Sequence, residues 1–182
     1  FRSFLRRFPT VRALASAPRR DVVAEWGGLG YNRRAVRLSE AARAIDKDHD
    51  GRIPRAKDEL LELPGVGPYT AAAVASMGFG EPVPVVDTNV RRVVSRVHLG
   101  IEGHEAPAEE VWALADAWLD RGDPAMWNQA VMDLGREVCR PKPHCDACPL
   151  ARVCRFSLSG ATARRGPKRQ GPFEGSTRQV RG

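Results

Sequence analysis

The sequence predicts an all-α fold, and three observations carry that prediction. Apolar residues recur at helical spacing in almost every periodic segment of the 182-residue chain. The breaks fall at glycine- and proline-rich turns, Gly-Gly-Leu-Gly at 27–30 and Pro-Gly-Val-Gly-Pro at 64–68. The one β-like run, Pro82-Val83-Pro84-Val85-Val86, is too short and too rich in proline for a central strand.

Taken in order, Thr10 can cap a short helix through Ala17. Arg20 to Trp26 forms another helix before the glycine break. Tyr31 to Ile45 follows, with Val36, Leu38, Ala41, Ala42 and Ile45 on its apolar face. Ala56 to Leu63 and Tyr69 to Met77 flank the second turn. Asn89 to Leu99, Ala108 to Leu119 and Ala125 to Val138 complete the set. Trp112, Trp118, Trp127 and Met132 recur at helical spacing and are expected in the core.

The chain is long enough for one substantial core or two small ones, and 42% hydrophobic residues suit a globular protein. No apolar stretch approaches the roughly 18–20 residues of a membrane span. The opening FRSFLRRFPTV alternates arginine with aromatics, unlike a secretory signal, and its start at Phe1 reads as that of a fragment. A net charge of +7 favours a polyanionic partner. From Ser157 to Gly182 the composition shifts to Ser, Gly, Arg, Lys and Pro, as in a basic tail or linker.

All four cysteines lie in the span Cys139-x5-Cys145-x2-Cys148-x5-Cys154. So tight a cluster without a signal peptide points to a metal or cluster site in a reducing compartment. The spacing accommodates either tetrahedral zinc or a [4Fe–4S] cluster. Arg140, Lys142, Arg152 and Arg155 surround the cysteines and would present positive charge, with His144 as a surface neighbour. A second metal-like pattern fails: Asp46, Asp48, Asp50, Gly51 and Ile53 fit the first eight positions of a calcium loop. Pro54 and Lys57 then stand where the loop needs further oxygen ligands.

The most informative stretch is Leu63-Pro64-Gly65-Val66-Gly67-Pro68-Tyr69-Thr70-Ala71. Gly65 and Gly67 permit a tight turn with exposed backbone, and Pro68 suits the first position of the next helix. Free N–H groups there, at the positive end of a helix dipole, would meet a phosphate. Such a contact positions DNA without reading its sequence.

This stretch resembles the helix-hairpin-helix of the endonuclease III-like glycosylase superfamily. Asp87 in VPVVDTNVRRV stands eighteen residues after Tyr69, the separation that family pattern requires. GLGYNRRA around Tyr31 and WNQAVMDLG from Trp127 to Gly135 resemble one branch, the A/G-specific adenine DNA glycosylases. The likeness runs from Phe1 to about Phe156. It implies part of a six-helix domain with the hairpin over 1–82, a second helical domain with an iron–sulfur loop over 83–156, and the basic tail or linker over 157–182.

The function implied is monofunctional base-excision hydrolysis of adenine mispaired with 8-oxoguanine or guanine, on a base flipped out of the duplex. Asp87 would stabilise the oxocarbenium-like sugar, Asn89 would hydrogen-bond near it, and Tyr69 would replace the lysine of strand-cleaving relatives. As the residue before a helix, Asp87 is also a good N-cap. Gly65, Val66, Gly67 and Thr70 would bind DNA, and Tyr31 would wedge beside the lesion's partner base or else pack at a helix start. The four cysteines would hold a [4Fe–4S] cluster, although the family's first interval is one residue longer. The family's general-acid glutamate lies in a segment upstream of Phe1, so the fragment is expected to be impaired. Glu25 aligns with an ordinary helix position. The expected partner is double-stranded DNA bearing a mismatch or oxidised guanine, met by a cytoplasmic, nucleoid-associated monomer with no membrane role. The alternatives are a thymine-mismatch glycosylase and a non-catalytic DNA-binding module with a structural metal site.

Overall fold

A computed structural model describes residues 1–161, and these are helical with no strand among them. The rest of the basic tail lies outside the described residues. Ser157 and Leu158, read as the start of that tail, belong instead to a short helix whose Phe156 is buried. The described residues form two compact units, 1–71 and 72–161.

In the first unit run α1 (Arg2–Arg7), α2 (Val11–Ser16), α3 (Arg19–Glu25), α4 (Arg33–Asp48), α5 (Lys57–Leu61) and the start of α6 (Pro68–Ala73). Thr10 caps α2 as expected, its hydroxyl accepting from Ala13 N at 3.1 Å. The core is Phe8, Leu14, Val22, Ala35 and Ala42, with Phe4 and Trp26 packed against it and edge to face with each other. Small residues on the inner face of α4 (Ala35, Ser39, Ala42) let α2 and α3 lie close. Arg43 extends from α4 to the carbonyls of Ala15 and Ala17 at 3.1 and 3.2 Å, meeting groups the end of α2 leaves bare.

Helix α4 begins two residues later than its periodicity suggests, because Tyr31 adopts a φ of 52° that no helix continues. It also runs on to Asp48. Asp46 and Asp48 are therefore helical rather than loop ligands, and Asp46 Oδ1 accepts from Arg12 Nε at 3.0 Å. The acidic half-motif is a solvated helix end.

The second unit contains α7 (Thr88–Val94), α8 (Ala108–Ala117), α9 (Pro124–Glu137) and α10 (Arg155–Leu158). Helices α6 and α7 each widen at their ends into a π-type turn, Val74–Gly78 and Ser95–Leu99. Val90, Val93, Val94, Val97, Val111, Ala115, Val131 and Phe156 make the core, with Trp118, Trp127 and Met132 packed on it.

The division between units falls after Ala71, whereas the sequence placed it at 82/83. Asn128 of α9 supplies the reason. Fully buried, it donates to Ser76 Oγ and Val83 O, both at 2.9 Å, and accepts from Val85 N at 2.8 Å. The segment 74–85 is thus tied to α9 across more than forty residues of chain. Among the described residues no helix is long and apolar enough to cross a membrane.

Candidate functional site

In the first unit the turn between α5 and α6 is built on two glycines with different duties. Gly65 has a φ of +78°, and a Cβ there would lie 2.6 Å from Cβ of Arg37. Only glycine lets the turn close against α4. Gly67 has nothing within 4 Å of the same position. Its carbonyl accepts from Ala71 N at 2.9 Å, and Pro68 is the first residue of α6. The amides of Tyr69 and Thr70, in the first turn of α6, lie too early in the helix for an intrahelical acceptor.

Gly65, Val66 and Thr70 share a groove with Trp26, Arg33, Arg34 and Arg37. The outer face of α4 thus puts three arginines beside the exposed turn, a surface suited to a phosphate chain. Tyr31 is 77% exposed, with the Arg34 guanidinium 5.0 Å from its ring. Apart from that contact with the first turn of α4, the ring is largely open. A positive φ on an exposed aromatic is strain of the kind found at functional positions.

In the second unit Asp87 caps α7, its Oδ1 accepting from Val90 N at 2.7 Å. Its Oδ2 accepts from Asn89 Nδ2 at 3.0 Å. The capping role weighed from sequence is therefore real, and it fixes the carboxylate's orientation without burying it completely. Asn89 is held in turn. Its Oδ1 accepts from Arg92 at 2.9 Å, and the same guanidinium donates to Gly135 O at 2.7 Å and Cys139 O at 2.6 Å. Gly135 lets α9 approach this point, since a Cβ there would sit 2.8 Å from Cβ of Asn89. An unbroken chain of contacts runs from Asp87 through Asn89 and Arg92 to the first cysteine. Tyr69, half exposed, belongs to the first unit.

Cys139, Cys145, Cys148 and Cys154 line one cavity, walled by Val93, Arg96 and Phe156 among others. Among the described residues no three His, Cys, Asp or Glu side chains converge closely enough to hold a single ion. The four thiols thus share a cavity rather than a closed coordination sphere. Arg96 braces its wall, donating to Arg140 O at 2.7 Å, Pro141 O at 3.0 Å and Cys139 Sγ at 3.5 Å, and forking onto Glu102 at 2.8 and 3.0 Å. Burial pulls the Arg96 pKa down, but its hydrogen bonds to Glu102 and Cys139 outweigh that and raise it, so it remains a cation. Burial raises the Cys139 thiol, against the opposing pull of Arg96 and Arg92. Arg140, Lys142, Arg152, Arg155 and His144 are all exposed around the loop, as expected.

Sequence reasoning missed Arg92, Arg96 and Asn128 as organisers, and the groove arginines Arg33, Arg34 and Arg37. A signal existed for Asn128 and Gly135, which sit inside the stretch WNQAVMDLG already singled out. Arg33 and Arg34 likewise sit inside GLGYNRRA and Arg92 inside VPVVDTNVRRV, whereas Arg37 and Arg96 lie outside every stretch singled out.

A model for the family described as "HhH-GPD superfamily base excision DNA repair protein" matches residues 1–118. The chain is 41% identical over 181 residues to the adenine DNA glycosylase of Mycolicibacterium smegmatis, covering 99% of this chain and 61% of that protein. To the adenine DNA glycosylase of Homo sapiens it is 41% identical over 159 residues, covering 85% of this chain and 29% of the human one. It therefore spans 61% of the length of the first relative and 29% of the second. Among solved structures, a thermostable thymine-DNA glycosylase superposes with a TM-score of 0.79 at 30% identity, over 86% of this chain and 74% of that one. An endonuclease III in non-covalent complex with DNA does so at 0.74 and 26%, over 87% and 74%.

Proposed function

The chain belongs to the HhH-GPD superfamily of base excision DNA repair proteins, and from that premise we propose that it is the helical core of a monofunctional adenine DNA glycosylase. Its substrate is adenine opposite 8-oxoguanine or guanine in duplex DNA. The observation that carries this reading is the half-buried Asp87 carboxylate, fastened between Val90 N and Asn89 at the head of α7. Identity of 41% to adenine glycosylases over nearly the whole chain supports the choice of base.

The hairpin turn and the α4 arginines grip the phosphate backbone while the target base swings out. Tyr31, exposed and steadied by Arg34, fills the gap beside the partner base. Cleavage of the N-glycosidic bond leaves positive charge on the sugar, and a pre-oriented carboxylate lowers that barrier because it need not reorganise. Tyr69 offers no amine to the sugar, so the abasic product leaves with its strand intact. The proton for the departing adenine comes, in this reading, from the glutamate expected upstream of Phe1.

Cys139, Cys145, Cys148 and Cys154, which line one cavity, would hold a [4Fe–4S] cluster. Held by those thiolates, the loop would present Arg140, Lys142, Arg152 and Arg155 to DNA phosphates. Cys148→Ser should cost both the brown colour and DNA affinity.

Single-turnover assays with the glutamate-bearing segment restored should release adenine from A:8-oxoguanine duplexes, with nicking only after alkali. The likeness to a thymine-DNA glycosylase gives a second reading, which release of thymine from T:G duplexes in preference to adenine would establish. No base release from any mismatch by the restored protein, with binding intact, would leave a DNA-binding module.

A further inference from the structure

Among the described residues three buried polar side-chain atoms have no hydrogen-bond partner: Ser39 Oγ, Arg96 Nε and His98 Nε2. Of these only Arg96 belongs to a residue lining the four-cysteine cavity. Arg96 is 1% exposed and its other guanidinium N–H groups are engaged, by Glu102, the Arg140 and Pro141 carbonyls and Cys139 Sγ. Its backbone carbonyl also faces the last cysteine, with Cys154 Sγ at 3.5 Å. One residue therefore touches the first thiol of the set with its side chain and the last with its backbone. A buried cation with an orphaned donor is costly, and such donors persist where something meets them.

We infer that the Arg96 Nε–H donates to a sulfur of the iron–sulfur cluster held by the four cysteines, and that Arg96 thereby sets the cluster's potential and retention. This rests on the cavity holding such a cluster, as proposed above. A donated N–H and a buried positive charge both favour the reduced, more negative cluster, so they raise its midpoint potential. Glu102 opposes part of that charge and aims the fork, holding the guanidinium against the Arg140–Pro141 backbone.

The test uses the whole chain purified anaerobically, with redox titration and iron release to a chelator as readouts. Arg96→Met alone leaves the Glu102 carboxylate buried and unpaired. The charge-balanced pair Arg96→Met with Glu102→Gln is therefore measured beside it, together with Glu102→Gln alone and Arg96→Lys. The pair should stay folded, titrate at a more negative potential than the parent and lose iron roughly ten-fold faster, the usual scale for an outer partner of a metal site. Glu102→Gln alone keeps the donor, and its potential should stay or rise. Arg96→Lys keeps the charge without the fork and should fall between.

If the folded pair has the parent's potential and iron-loss rate, Nε merely lies over the Phe156 ring, which the guanidinium carbon approaches to 4.8 Å, and the inference is wrong. Should every Arg96 variant fail to fold, the parent labelled with nitrogen-15 arginine decides. A nitrogen hyperfine coupling to the paramagnetic cluster supports the contact, and its absence overturns it. A parent that carries stoichiometric zinc sinks the cofactor reading itself. A parent that carries iron but shows no effect of Arg96 sinks only this inference.

Discussion

Gly67 and Pro68 open α6, and Asp87 and Thr88 open α7, so the two helices treat their bare first-turn amides in opposite ways. At α6 the residue before Pro68 is Gly67, which has no side chain to offer the turn, and a Cβ there would meet nothing within 4 Å. At α7 the Asp87 carboxylate closes the turn on Val90 N and is itself held by Asn89. A bare helix start keeps its partial positive charge for an anion arriving from outside. A capped one neutralises its own amides and in return fixes a negative charge in space. In the proposed function, the difference separates a surface that would grip a polyanion from one that would steady a cation formed during reaction.

The largest effect should come from removing the charge at α7 while keeping the cap. Asp87→Asn preserves size and the cap on Val90 N while giving up the bond from Asn89, so it should lower base release by at least about a hundred-fold, cost about 1 kcal/mol of stability and leave DNA binding nearly unchanged. Asp87→Ala should match it in rate and cost about 1 kcal/mol more of stability from the lost cap. A measurable turnover near wild type in Asp87→Asn would collapse the distinction between the two helix starts.

A smaller effect belongs to the hairpin, where the two glycines can be told apart. Gly67→Asp places a carboxylate at the open amides, and titration should show affinity for duplex DNA falling about ten-fold with little change in melting. Gly65→Ala forces a Cβ into Arg37 at a positive φ, so it should destabilise the fold by about 1–3 kcal/mol. Equal losses of stability at the two sites would mean that Gly67 too is structural. Smallest is the contribution of each phosphate contact. The slope of log affinity against log salt should be several units, about 0.9 per phosphate neutralised, and Arg33→Ala should reduce it by about one.

The hairpin was legible because everything that makes it lies within nine residues: a turn glycine, an open glycine and a proline at the helix start. The Asp87 cap was legible for the same reason. Arg92, Arg96, Asn128 and Gly135 were not, because each acts on a partner far along the chain or across a helix pair. Asn128 reaches Ser76 across fifty-two residues and Arg92 reaches Cys139 across forty-seven. Periodicity reports that a residue is inward or outward, and says nothing about which carbonyl a buried guanidinium will find. The alternation of arginine and aromatics from Phe1 likewise hid α1, whose helical form depends on Phe4 packing against Phe8 and Trp26. The π-type widening of α6 and α7 left no mark in the residues themselves.

The cysteine loop is fastened at named points of its backbone: the carbonyls of Arg140 and Pro141 by Arg96, and His144 N by Val138 O at 3.0 Å. Length changes in this loop are consequently not equivalent. A residue inserted after Lys142 falls between Pro141 and His144 and can bulge outward, leaving both anchorages where they are. One inserted between Cys139 and Pro141 drags a fastened carbonyl off the guanidinium and turns the first thiol with it. A first interval of five residues or of six can therefore serve the same cavity, provided the variation is confined to the free span at 142–143.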